Sequence, residues 1–214
     1  MPTPAPRPEL FSLAWWDQIA PLVQAVMVLI TGYVALRGLT TWRQQMVGKR
    51  KAEIAEQVLV NFYAVRDVFQ WVRTSSFGAS EGETRQPSEP ELDQVARMRN
   101  VYYIPIERLN REKELFAKLR AQRHEFTAYF GKNNITPFET IFKIHHDTVV
   151  NSQLLVRMAQ YDAILQPVMN ARDEMLNRLG WGKAERPDET DKAIDAAVSK
   201  IEELCRPILE GRRS

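Results

Sequence analysis

The 214-residue chain is poor in the residues that carry most recognisable chemistry. It has one cysteine, Cys205, which excludes an internal disulfide and a cysteine-based zinc site. That thiol reads as a small apolar residue on the last helix of a chain kept in a reducing compartment. Glycine totals only 9 residues, too few for loops that cradle phosphates, and no G-x-x-x-x-G-K-[ST], G-x-G-x-x-G or G-x-S-x-G pattern occurs. Histidine totals 3, with no H-E-x-x-H or H-x-x-x-H pair to seat a metal. No strand pattern is persuasive; Val101-Tyr102-Tyr103-Ile104 has strand composition but no partner run. The formal net charge is only +2, which argues against general nucleic-acid binding. No catalytic, cofactor-binding or metal-ligating residue is assigned, and neither a cofactor nor a small-molecule ligand is expected.

Acidic residues are missing altogether from one long stretch, and there the chain is most informative. Between Asp17 and Glu53 stands no Asp or Glu, and from Ile19 to Leu36 no charged side chain at all. Residues 19–39 therefore read as a transmembrane helix, because about 20 apolar residues at roughly 1.5 Å each cross a hydrocarbon core. Trp15 and Trp16 precede the run and Trp42 follows it, as interfacial aromatics do. Pro21 suits the first turn of such a span. A buried core helix would carry charge on one face, and a cleaved leader would begin with a basic cluster; neither is present. Arg37, Arg43, Lys49, Arg50 and Lys51 follow the span, whereas Arg7, Glu9 and Asp17 precede it. The positive-inside rule then puts the N-terminus outside and the long C-terminal part in the cytoplasm, at a plasma or bacterial inner membrane. Thr31 and Ala35, with Ala25, Gly32 and Leu39 at heptad spacing, offer small residues for helix–helix approach in lipid.

The expected organisation is a proline-rich tail over 1–18, the span over 19–39 and a helical domain over 40–214. Ile54, Val58, Phe62, Val65, Phe69 and Val72 repeat at spacings of three and four, which is one face of a helix. Residues 74–91, rich in Ser, Gly, Pro and Glu, read as a mobile loop. A second helical region runs from Leu92 to Phe130, interrupted at Pro105 and closed by Gly131. Glu107, Glu112 and Glu114 alternate there with Arg108, Arg111 and Lys113 as a solvated, salt-bridged face. Thr136-Pro137-Phe138-Glu139 reads as a capping box opening a long third helix, bent at Pro167 and ended by Gly180 and Gly182. Asp188 and Asp191 cap a last helix that ends at Pro207 and Gly211. The fold class is all-α: a single N-terminal transmembrane helix, then an elongated antiparallel bundle of three to four long helices.

His145, on an apolar stripe, reads as a satisfied core histidine. His146-Asp147-Thr148-Val149-Val150, followed by Leu154, resembles the phospho-acceptor box of one class of sensor histidine kinases. That resemblance implies a phosphorylated His146 on a bundle helix. The chain lacks room and glycine-rich boxes for the ATP-binding domain such kinases carry. The expected function is a cytoplasmic-face interaction or scaffolding module, not an enzyme, whose partners are the lipid bilayer and a protein or a second copy. A phosphotransfer component using His146 and an accessory subunit of a transporter or channel, hinted by Gln24 in the span, are the alternatives.

Overall fold

A computed structural model describes residues 10–87, 89–160, 166–183 and 185–211. Six α-helices occupy them, and no strand occurs among the described residues. They are α1 (Leu10–Val72), α2 (Asp93–Arg111), α3 (Lys113–Phe130), α4 (Thr136–Met158), α5 (Gln166–Arg178) and α6 (Glu189–Glu210). The tail before Leu10 lies outside the described residues. The chain divides into two compact units after Arg50.

In the first unit, α1 begins well before the apolar run, so Pro21 is a helix-interior residue and not a first-turn one. Every described side chain from Pro21 to Arg50 is exposed. Leu22, Leu29 and Leu36 are 67%, 74% and 68% exposed, although they lie in the most apolar stretch of the chain. The Thr31 hydroxyl donates to the Met27 carbonyl at 2.7 Å, so the helix itself satisfies that polar group. Among the described residues, one helix is thus long and apolar enough to cross a membrane.

In the second unit, the Lys51–Val72 part of α1 continues as a core helix. Ala55, Val58, Phe62, Val65, Phe69 and Val72 are all fully or almost fully buried. Their alternating three- and four-residue steps keep one face turned inward. Phe62 packs edge-on against Phe138 at 4.9 Å between ring centres, and Phe69 against Phe116 at 5.8 Å. Each buried Phe stabilises the fold by about 1.5–3 kcal/mol. The pairs Asn61–Gln122 and Phe69–Phe116 run in opposite senses, so α3 is antiparallel to this part of α1. Tyr63–Glu202 and Arg73–Asp191 make α6 antiparallel to it as well. With α4, these helices enclose one hydrophobic core. A smaller cluster, Tyr102, Leu155, Ala159 and Leu179, seats α2 on the second half of α4.

Several local expectations change. Pro105 lies within α2, not at a break. Burial of its neighbours from Tyr102 to Leu109 offsets the lost backbone bond. The interruption comes instead at Glu112, whose N–H donates to the Leu109 carbonyl three residues back at 3.2 Å. Val101–Ile104 is helical. Thr136 does not cap α4, because the 3₁₀ turn Lys132–Asn134 delivers Ile135 already in helical conformation. A capping side chain needs an extended residue. The reciprocal box forms instead at Asp188 and Asp191. The long third helix is two helices, since α4 ends at Met158 and Pro167 lies within α5. Leu165 lies outside the described residues. Pro207 is inside α6, which runs on to Glu210. Gly131 closes α3 with a φ of 88°, a left-handed conformation that favours glycine.

Candidate functional site

Two groups of polar side chains stand out in the bundle. The first gathers around the C-terminal end of α1. That end exposes carbonyls with no intrahelical partner. Arg108, from α2 and only 2% exposed, meets them with a complete set of donors. Its Nη1 donates to the carbonyls of Trp71 at 2.7 Å and Thr74 at 2.8 Å. Its Nη2 donates to the Ser76 carbonyl at 2.8 Å and to Glu81 at 2.6 Å, and its Nε to Glu81 at 3.2 Å. The guanidinium also lies 5.2 Å over the Trp71 ring, which accounts for an aromatic standing off the main apolar stripe. The Arg108 hydrogen bond is the main cause holding the Glu81 carboxyl below its ordinary pKa.

Next to it, Glu107 is 4% exposed and accepts from the Gly82 N–H at 2.6 Å and the Thr84 hydroxyl at 2.9 Å. Burial alone would raise its pKa, but these bonds and the one from Arg111 outweigh it and hold it low. Gly82 has a φ of 88°, and a Cβ there would collide with the Asn100 carbonyl, so only glycine fits. The expected solvated face at Glu107 and Arg108 is therefore a correction: both side chains are buried ion-pair members. The segment read as a mobile loop is tied down by polar bonds, not by apolar burial. Arg85 and Arg99 add a shared ion pair with Glu91.

Arg73, 1% exposed, finishes the same end of α1. Its Nε donates to Asp191 at 3.0 Å, its Nη1 to the Arg178 carbonyl at 2.6 Å, and its Nη2 to Asp188. Arg186 clamps Asp191 from outside at 2.7 and 2.8 Å. Burial works to raise the Asp191 pKa, but Arg186 and Arg73 bring it down to about 2. The chemistry of this assembly is structural: every guanidinium is directed at a chain carbonyl or a carboxylate of the same fold. Sequence reading missed it because a buried arginine and a solvated one look alike in a charge pattern.

The second group lies where α3 meets α4. His145 is half-buried, with its ring 4.5 Å from that of Phe116, and His146 beside it is exposed. Arg120 and Arg123 place their guanidiniums 5.3 and 6.0 Å from the Phe142 ring, and neither is ion-paired among the described residues. Burial, then Arg120 and His146, push the His145 pKa below its ordinary value. Replacing Arg120 by Gln is expected to move the His145 midpoint back up toward 6.5, read from its ring proton shifts in an NMR pH titration. An unchanged midpoint would mean that burial alone sets it.

Of the other residues singled out, His124 is exposed and Glu125 half-buried on α3, apart from any histidine pair. Among the described residues, no three His, Cys, Asp or Glu side chains come together as metal ligands would. Cys205 is fully buried in the core, which pushes its thiol pKa up to about 12 and leaves it unreactive. An open groove of about 720 Å³ between α1 and α3 is lined by Glu53 and Glu56 from α1 and by Lys118 and Glu125 from α3. The hydrogen-bonded pair Asn61–Gln122 (2.6 Å) also lines it. No family model, curated protein or solved structure matches the chain.

Proposed function

We propose that this protein is a membrane-tethered helical interaction module, with α1 as its anchor and the bundle at the cytoplasmic face. The observation that carries the reading is the apolar part of α1, exposed on all sides within the same helix whose later turns build the bundle core. A helix that is apolar all round is either enclosed by protein or enclosed by lipid. The cations that follow the span, with no acid until Glu53, favour a cytoplasmic bundle at a plasma or bacterial inner membrane. Polar bonds that use up the buried charges leave helix faces and the α1–α3 groove as the surfaces a protein partner or a second copy would meet.

The test is extraction of the full chain from its own membranes, with a protease-protection assay on a C-terminal tag. The protein is expected to resist alkaline carbonate, and the tag to be cut only after the cytoplasmic side is opened. Leu29→Arg places a charge at mid-span, at a cost of about 2.5–3.5 kcal/mol, and should shift much of the protein to the carbonate supernatant. Wild-type protein found in that supernatant would defeat the anchor. After gentle detergent extraction, the module reading requires a stoichiometric companion or a defined oligomer; a bare monomer would defeat it.

Two other readings draw on single features. The Gln24 amide has no hydrogen bond to another described residue within an otherwise apolar span, which favours packing against another membrane helix as an accessory subunit. The exposed His146 favours a phosphotransfer role, and mass spectrometry at neutral pH after incubation with a phosphodonor tests it. Absence of acid-labile phosphate on His146 would remove that role.

A further inference from the structure

Arg37, Arg43 and Lys49 are all exposed on α1, just beyond the apolar run, and none has a carboxylate partner among the described residues. They stand six residues apart. Six residues turn an α-helix through about 600°, so the three positions are roughly 120° apart around the axis and spread over about 18 Å of its length. A protein or nucleic-acid partner docks on one side of a helix and is served by cations in one stripe. Charges distributed all round the helix meet a partner that surrounds it. Only the bilayer does that.

We infer that these three cations form a collar that binds the headgroups of anionic phospholipids. The inference rests on the anchor reading above, which it deepens by naming the lipid class. The Arg37 guanidinium lies 5.7 Å over the Tyr33 ring, one turn back into the apolar run, which suits a cation rising from the hydrocarbon edge. The Thr40 and Thr41 hydroxyls both donate to the Arg37 carbonyl at 2.9 Å, so they need no water at that depth. Arg43 then falls among the headgroups. Lys49 lies further out, within about a Debye length of roughly 8–10 Å at physiological salt. Along the chain Asp17 precedes Arg37 by 20 positions and Glu53 follows Lys49 by four, so a carboxylate stands one turn from Lys49 but none stands within two turns of Arg37 or Arg43 to compete with lipid phosphate.

The experiment uses the full chain in nanodiscs of equal phosphatidylcholine and phosphatidylglycerol, followed by native mass spectrometry of the lipids that stay bound. Retained phosphatidylglycerol should exceed phosphatidylcholine by about fivefold or more, as expected for basic residues at an anionic surface. The preference should fall to near unity in R37Q/R43Q/K49Q and persist in R37K/R43K, with helix content by circular dichroism confirming that each variant folds. Equal retention of the two lipids by the wild type overturns the inference, and so does a preference that survives R37Q/R43Q/K49Q. Flotation with vesicles of pure phosphatidylcholine separates the two readings. A chain that floats on them without lipid preference keeps its anchor and loses the collar. A chain that floats only when phosphatidylglycerol is present binds by surface charge alone, and loses the anchor and with it the collar.

Discussion

Replacing Arg108 by Met is expected to destabilise the bundle by about 3–5 kcal/mol, the scale of breaking a buried ion pair from one side. The substitution preserves most of the side-chain volume, so the loss is electrostatic and not a cavity. Five hydrogen bonds disappear together. The carbonyls of Thr74 and Ser76 then lose their Arg108 donor beside the negative end of a long helix, the Trp71 carbonyl keeps only the Thr74 N–H, and Glu81 is left as a largely buried carboxylate without its cation. Urea unfolding of the full chain in detergent should show the midpoint of the bundle transition falling by roughly 2 M. Arg108→Lys should recover less than half of this, because an ammonium cannot reach three carbonyls and a bidentate carboxylate at once. A Met variant within about 0.5 kcal/mol of wild type, the range of an ordinary surface substitution, would show that the cation is not needed there. The pair also sets an acid limit. The Glu81 pKa is depressed, so its contribution is complete above its ordinary value of 4.5 and fades as pH falls through the lower folded value.

Arg73→Met is expected to have an effect of the same size, about 3–5 kcal/mol, at the other side of the same helix end. Asp188 and Asp191 would lose their buried partner while still bound to each other's backbone through the capping box. Two close carboxylates without that cation repel, and the first turn of α6 should loosen. The pH dependence distinguishes this site from the first. Asp191 titrates at about 2 in the folded protein against 3.8 ordinarily, so its stabilisation is present above pH 3.8 and drains away toward pH 2. A tenfold change in proton affinity is worth about 1.4 kcal/mol before solvent screening, so the wild type should lose on the order of 1–2 kcal/mol across that window through this group. In Arg73→Met the loss should be smaller, since Arg186 alone remains to hold the pKa down. Unfolding midpoints measured from pH 5 to pH 2 check both claims, and parallel acid limbs for wild type and variant would contradict the coupling.

How much was legible beforehand depends on the range of the interaction. The apolar stripe from Ile54 to Val72 is a local pattern, and every member named on it is buried. The cap at Asp188–Asp191 depends on residues three apart, and it forms as read. The same motif at Thr136 fails because Ile135 arrives already helical, a conformation imposed by the preceding 3₁₀ turn. Pro105 stays within a helix and Glu112 ends one, since packing around Tyr102–Leu109 outweighs a propensity worth about 3 kcal/mol.

Periodicity and composition, which act over a few turns of helix, are enough to dictate the all-helical class and the core stripe of α1. They also dictate the one helix apolar enough to cross a membrane and the belt of cations beside it. Which charges leave water is a matter of long-range contacts. Glu107 and Arg108 alternate with their neighbours like any solvated face, and Arg73 looks like a basic residue at a helix end. Arg108 meets Glu81 27 positions away and Arg73 meets Asp191 118 positions away, and Glu107, besides its neighbour Arg111, accepts from Thr84 23 positions away. A charge can be buried only when a fold brings an opposite charge or a set of carbonyls to meet it, and no local pattern records that meeting.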